Sequence, residues 1–290
     1  MTMIIDCHMH LWGRFAGKSF RPAGYGKFQT TEGRTWQMCP PSFVDCRSTV
    51  ELALAHMDWL GIDRGVIVQE WLDGRQDDYL ATVAAKHHDR FSVFGLLDGN
   101  NLDGMPSYVE HIAHDLHFDG IKVTPSHFPR TRLDDRSMMR IWEQCAALGI
   151  RVVIHMLPGE EMVTEAGNVV TALPNLTFII AHLGLPPRQG WQKQAALARH
   201  SNVFLDASGL TALFAREGYP FPGAQGAIRE ALDIAGPGKI MWGSDYPRCI
   251  VDISYREILD LFGKECSFLS ESERAGILGK TAARVYRFCG

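Results

Sequence analysis

Met3-Ile4-Ile5-Asp6-Cys7-His8-Met9-His10 is a β-rich run with two histidines separated by one residue. In an extended strand successive side chains point to opposite faces. Ile4, Asp6, His8 and His10 are therefore expected on one side, and Ile5, Cys7 and Met9 on the other. If helices cover the apolar side, both imidazoles project together from the polar one. Two convergent imidazoles make half of a metal site, although the pair taken alone reads more readily as two partly exposed strand-end histidines.

Working outward, similar β-rich runs recur at residues 65–68, 91–97, 120–123, 150–155, 176–180, 203–206 and 239–243, which with the first makes eight. Between them, residues 50–60, 77–88, 137–148, 192–200 and 227–235 carry apolar side chains at three- and four-residue spacing, the pattern of helices with one buried face. Such alternation calls for parallel strands joined by right-handed crossovers. Eight units in roughly 250 residues is the size of a (β/α)8 barrel. A doubly wound open sheet is the competing architecture, but no Gly-x-Gly-x-x-Gly follows any of the runs. No linker, repeat or charge block divides the chain, so residues 1–290 are read as one α/β domain, a (β/α)8 TIM barrel. Two connections are longer than the rest, residues 11–47 and 207–225, and both follow a strand. That places them on the C-terminal face, where a long loop serves as a lid or a specificity wall. Trp12, Phe15, Phe20, Tyr25, Phe28, Trp36 and Phe43 argue against disorder in the first of them.

Composition narrows the class. A net charge of −4 and the lack of any Lys/Arg block leave no field for attracting nucleic acid. Seven cysteines without a Cys-x-x-Cys pair point to neither a disulfide framework nor a zinc knuckle, and fit a reducing cytosol. A strand begins within three residues of the N-terminus, with no basic region and apolar stretch before it, and no apolar run reaches membrane-spanning length. The expectation is a cytoplasmic protein whose partners are a small molecule and, at most, further copies of itself, with no membrane or nucleic acid.

Ionisable residues stand at the ends of apolar strands. The fifth strand ends in His155, the sixth runs into Ala181-His182-Leu183-Gly184, and the eighth runs into Gly243-Ser244-Asp245-Tyr246-Pro247. In a barrel these tips converge around one axis. Imidazole and carboxylate together suit Zn²⁺ or a related divalent ion with a position left open for water. The fourth strand adds Lys122, whose neighbours Ile121 and Val123 belong on the helix-covered side, so that Lys122 turns inward. A buried amine there polarises a substrate, becomes a carbamate bridging two metals, or merely crosses the wall to a surface carboxylate. Arg130 and Arg132 follow the fourth strand and Arg248 follows Asp245, so all three are candidates to grip a substrate carboxylate. His111, His114 and His117 lie before the fourth strand and read as a solvated helix face.

On these residues the chain resembles the amidohydrolase superfamily, specifically its amidohydrolase-2 branch. The resemblance rests on Asp6-Cys7-His8-Met9-His10-Leu11-Trp12, His155, His182-Leu183-Gly184-Leu185-Pro186, Ser208-Gly209-Leu210, Trp242-Gly243-Ser244-Asp245-Tyr246-Pro247 and the closing Ala282-Ala283-Arg284-Val285-Tyr286-Arg287-Phe288. It implies that His8, His10, His155 and Asp245 ligate a divalent metal and that His182 ligates a second ion or touches substrate. Within the branch the chain looks most like sugar-lactone and dicarboxylate-lactone hydrolases, some of which work without metal. Asp206 looks slightly more like the zinc-dependent decarboxylases of aromatic or muconate-type acids. Lys122 occupies the strand where binuclear amide and phosphoester hydrolases carry a carbamylated lysine.

The expected enzyme is a metal-dependent lactonase, holding one zinc ion, or two if Lys122 is carbamylated. Asp245 takes a proton from the attacking water and returns it to the leaving alkoxide, while His182 or Lys122 stabilises the carbonyl oxygen. Trp12, Arg130, Arg132 and Arg248 would hold an acidic substrate.

Overall fold

The computed structural model describes residues 3–128, 131–157 and 159–288. Eight parallel strands form one sheet in the order β1 (Ile5–Met9), β5 (Arg64–Ile67), β6 (Phe91–Leu96), β7 (Gly120–Val123), β8 (Arg151–Ile154), β9 (Phe178–Ile180), β10 (Val203–Asp206) and β11 (Ile240–Met241). Each overlaps one of the eight β-rich runs of the sequence. The segment of the last strand meets the first through backbone hydrogen bonds from the N–H of Cys7 to Trp242 O (3.0 Å), of Asp245 to His8 O (2.9 Å) and of His10 to Tyr246 O (2.8 Å), which bring the sheet round into a barrel.

The crossovers carry α1 (Val50–Leu60), α2 (Asp77–Lys86), α3 (Met105–His114), α4 (Arg136–Leu148), α5 (Glu160–Ala172), α6 (Trp191–Ala196), α7 (Leu210–Leu213) and α8 (Pro222–Ala235), and α9 (Tyr255–Asp260), α10 (Glu271–Ala275) and α11 (Thr281–Tyr286) follow the last strand. The first shows how local sequence sets its ends. Thr49 caps the amide of Leu52, Gly61 closes the helix in the left-handed region at φ 71°, and Val50, Ala53, Met57 and Leu60 form the buried stripe between them. Strand residues divide accordingly. Ile67, Val93, Val152, Ile154, Phe178 and Ile180 pack outward against helix residues such as Met57, Val83, Ile141 and Ile228. Val66, Val68, Phe94, Val153, Ile179 and Met241 fill the barrel, whose floor is closed by Ala282, Val285 and Tyr286 of α11.

The first strand departs from simple alternation. Ile5 and Cys7 lie with the interior cluster, whereas Met9 lies with the outer one. The register against β5 shifts between Asp6 and Met9. A bulge adds one residue to the phase, so the strand that starts with Ile5 and Cys7 inward finishes with His8 and His10 inward. The expectation that Asp6 shares a face with the histidines is therefore corrected. Asp6 points outward and is buried, accepting hydrogen bonds from the amides of His8 (3.1 Å) and Ser244 (2.8 Å) and from the hydroxyl of Tyr255. Tyr255 is delivered by α9, whose start is fixed by a capping box between Ser254 and Glu257.

The long connection after β1 is likewise not an open loop. It contains an antiparallel sheet of β2 (Phe20–Gly24), β3 (Lys27–Thr30) and β4 (Thr35–Gln37). Three of the aromatic residues that argued against disorder, Trp12, Phe28 and Phe43, are buried in its core, whereas Tyr25 and Trp36 are exposed. Phe28 is fully buried, with the ring of Phe15 4.6 Å away and that of Trp12 6.5 Å away, and Trp12 donates its indole N–H to Cys46 O at 2.7 Å. The second long connection holds α7 and the first turn of α8.

Asp6→Ala would leave two buried amides and one hydroxyl without an acceptor, at a cost of ~3 kcal/mol. The expected outcome is a lower urea midpoint and loss of the site geometry. An unchanged midpoint would show that the bulge needs no side-chain support.

Candidate active site

The bulge sets His8 and His10 on the barrel axis, and the other strand tips meet them there. His8 is fully buried, and its Nδ1 donates to the carboxylate of Asp206 at the end of β10. A carboxylate only accepts, so the proton sits on Nδ1 and the Nε2 lone pair faces the centre. That nitrogen lies 3.3 Å from Lys122 Nζ and 3.8 Å from Asp245 Oδ1. His10 Nε2 lies 3.2 Å from the same Asp245 oxygen. One ligand atom from each of His8, His10 and Asp245 falls within 4.8 Å of the other two.

Asp245 reaches this position through an uncommon backbone. Its φ is 67°, in the left-handed region that non-glycine residues rarely occupy, and His182 shares the feature at 57°. Gly243 permits the approach, because a Cβ there would stand 3.0 Å from Ser208 Cβ, 3.1 Å from Cys7 Sγ and 3.2 Å from Asp206 Oδ1. His182 Nδ1 faces both Ser208 Oγ at 2.9 Å and Ser208 O at 3.1 Å; the carbonyl only accepts, so a proton on Nδ1 serves both oxygens and leaves Nε2 for the cavity. Its ring centroid lies 4.9 Å from that of His8 and 4.9 Å from that of His155. His155 thus lines the same cavity, but it stands beyond His182 and outside the close trio, so three of the four expected ligands come together rather than four.

Lys122 is buried and turned inward as the alternation of β7 requires. Its partner besides His8 is Glu70, whose Oε2 is 3.9 Å away. Glu70 also accepts from Thr124 Oγ1 (2.7 Å) and the Trp71 amide (2.7 Å), and faces His127 Nε2 at 3.5 Å. Sequence reasoning missed Glu70 and His127. A signal for Glu70 was present, since it continues the inward phase of Val66 and Val68, three residues past the end of β5. Asp73, also missed, is buried on the cavity wall and its Oδ2 has no hydrogen-bond partner.

The charge states are set by burial and by near neighbours. Burial first, then the Lys122 and His182 charges, hold His8 well below the usual histidine range. The same causes, with His182 ahead of Lys122, bring His155 down to about 3. Both are neutral ligand-type imidazoles near pH 7. Burial alone would raise Asp245, but the hydrogen bond from His10, followed by the influence of His182 and His10, holds it below the carboxylate range. Glu70 is likewise low, against burial, through His127, Lys122 and Thr124. Burial lifts Asp73 to about 7.

The cavity above these groups has a volume of about 310 Å³. Trp12 and Met38 from the inserted segment, with Leu72, Leu157 and Pro247, give it an apolar side, and Arg248 stands on its rim. Arg248 is paired with Asp252 at 3.2 Å. Arg132 does not belong here. Asp134 (3.0 Å), Glu161 (3.0 Å) and Glu165 (3.3 Å) neutralise it on the outer surface, which corrects its assignment to substrate. Arg130 lies outside the described residues. His111, His114 and His117 are exposed on the far side, with His111 paired to Asp115 at 2.7 Å.

A buried imidazole and a partly buried one, an ionised carboxylate beside both, and a second carboxylate fixing the tautomer of His8 form a nitrogen and oxygen donor set that suits a divalent ion of the zinc type. Comparison with known proteins places this arrangement. The L-fucono-1,5-lactonase of Burkholderia ambifaria is 25% identical over 313 aligned residues, covering 99% of this chain and 96% of that protein. An amidohydrolase from Burkholderia multivorans, solved with bound zinc, superposes with a TM-score of 0.73 at 22% identity, covering 98% of this chain and 99% of that one. The 5-carboxyvanillate decarboxylase of Sphingomonas paucimobilis superposes with a TM-score of 0.70 at 17% identity, covering 100% of each chain. The family model described as Amidohydrolase matches residues 5–288, from the first barrel strand to the turn after the last helix, and this chain belongs to the amidohydrolase family.

Proposed function

We propose that the protein is a lactonase that opens a sugar or carboxylated lactone, using one zinc-type ion held by His8, His10 and Asp245. The observation that carries this reading is the convergence of those three donors beneath a cavity sized for a single ring with short substituents. The full-length similarity to a lactonase supports the choice of reaction. When bound there, such an ion supplies Lewis acidity toward an ester carbonyl and makes water more acidic.

The chain's own groups do the rest. Asp245, ionised and directed into the cavity, accepts the proton of the attacking water and returns it to the ring oxygen as the acyl–oxygen bond breaks. Lys122 faces the region where the carbonyl oxygen gains charge, and a fixed donor in such a dry site stabilises that charge without reorganising, while His182 turns its Nε2 lone pair toward a hydroxyl of the substrate. Trp12, Met38, Leu72, Leu157 and Pro247 exclude water from one side of the ring, while the guanidinium donors of Arg248 not engaged by Asp252 meet a substrate carboxylate at the rim. Cys7, Cys39, Cys46, Cys145, Cys249 and Cys266 are all free and buried, which supports a reducing, cytoplasmic setting.

Lactone hydrolysis releases a proton, whereas decarboxylation consumes one and releases CO2. A pH-indicator assay over sugar lactones, muconolactones and carboxylated aromatic acids should therefore acidify with lactones alone. CO2 release from an aromatic acid, with every lactone left intact, would replace this reading by the decarboxylase one. Asp245→Asn should lower kcat/KM at least 10²–10⁴-fold with an unchanged circular dichroism spectrum. Wild-type turnover in that variant would remove the proposed base. Dialysis against a chelator should abolish activity and added Zn²⁺ should restore it, with His8→Ala retaining far less zinc by elemental analysis. Full activity in metal-free protein would overturn the metal assignment.

A further inference from the structure

The opposite end of the barrel holds a second cavity, of about 320 Å³, that the proposed chemistry does not use. Its walls come from the N-terminal ends of β8, β9 and β10 and from α11, through Arg151, Asn175, Thr177, Ser201, Arg284 and Arg287 among others. The cations differ in what they have already spent. Arg151 is buried and structural, donating to Val285 O (2.8 Å) and Asp119 O (3.2 Å), with the Asp119 carboxylate 3.7 Å away. Arg284 is exposed and gives one donor to Gly238 O at 2.9 Å. Lys239 and Arg284 share the ring of Phe204, with Lys239 Nζ 4.6 Å and Arg284 Cζ 5.8 Å from its centre. Lys239 meets three backbone carbonyls, those of His200 (2.7 Å), Ser201 (3.0 Å) and Val203 (3.0 Å). Among the described residues, neither Lys239 nor Arg284 pairs with a carboxylate.

We infer that this cavity is a binding site for a compact multivalent oxyanion, of the phosphate or polycarboxylate type. Lys239 stands against the wall residue Phe204 rather than in the cavity itself, and carbonyl dipoles solvate it without cancelling its charge, so this end of the barrel keeps a positive surplus that Asp119 alone does not offset. The donors suited to an anion are present and unspent. Most of the Arg284 fork is open, and the side chains of Asn175, Thr177 and Ser201 make no hydrogen bond among the described residues. A clamp serving only to hold α11 would need Arg151 and the Arg284–Gly238 contact, but not a concave wall of unpaired polar side chains around them. A bound anion would join α11 to the starts of three strands and so stabilise the barrel floor beneath the catalytic face.

The test is isothermal titration calorimetry of the full chain at low ionic strength, with inorganic pyrophosphate and citrate as separate probes. The expected result is 1:1 binding at submillimolar concentration that weakens with added NaCl, the tighter probe identifying the phosphate or the polycarboxylate source. Arg284→Gln should weaken it about tenfold. Asn175→Asp, an exposed near-isosteric change that places a negative charge in the wall without removing a fold contact, should weaken it by a similar factor. Both variants should keep wild-type kcat/KM. No binding of either probe below ~10 mM would overturn the inference, and so would binding that both folded variants leave unchanged, since the anion would then sit elsewhere, as in the catalytic cavity.

Discussion

Everything at the catalytic end depends on a change of phase within five residues of β1. A regular strand that fills the barrel with Ile5 and Cys7 would turn His8 and His10 out toward the helices, where no other strand tip could reach them. The extra residue reverses the phase after Cys7, and a bulge leaves amides that the ladder no longer satisfies. Asp6 takes two of them, from His8 and from Ser244 on the strand that closes the barrel. One carboxylate thus ties the bulge, the barrel seam and α9 together, and burial raises it to about 6. Stability at this seam and geometry at the site are two consequences of the same contact.

The electrostatics follow from bringing these groups together in a dry place. Neutral His8 and His155 cost little to bury, whereas Asp245 and Glu70 stay ionised only because donors surround them. Asp206 does for His8 what Ser208 does for His182, in that each fixes the proton on Nδ1 and frees Nε2. The difference is charge. A carboxylate behind His8 strengthens its Nε2 as a donor to a cation, while a carbonyl behind His182 leaves an imidazole better suited to a substrate. The close trio includes His8 and excludes His182, in line with that distinction.

The barrel was legible because eight apolar runs and the helices between them have the right periods, and a closed parallel sheet is the arrangement that buries both. The inward turn of Lys122 followed from Ile121 and Val123 in the same way. What alternation could not reveal was the place where it fails. Nothing in Asp6-Cys7-His8 marks a bulge, since the extra residue is fixed by Tyr255 and Ser244, far away in sequence. Glu70 was overlooked because it lies past the strand end, where phase is usually lost, and Asp73 because it follows in an irregular turn. Arg132 was misassigned for a complementary reason. Its position after β7 fits a rim residue, but the acidic side chains of Asp134, Glu161 and Glu165, the last two on α5, draw it outward.

The pairing of Lys122 with Glu70 bears on how many ions the proposed site would hold. A carbamate on Lys122 would exchange a cation for an anion beside Glu70, whose Oε2 stands 3.9 Å from Nζ. Two like charges at that distance repel by several kcal/mol at an effective dielectric constant of about 20. Only a second ion placed against both could recover that cost. His127, on the other side of Glu70, is nearly half exposed and lies at the cavity mouth rather than on the axis, so it does not complete such a position. The wall around Glu70 is therefore built to keep an amine, which favours one ion at His8, His10 and Asp245 with Lys122 beside it as a donor.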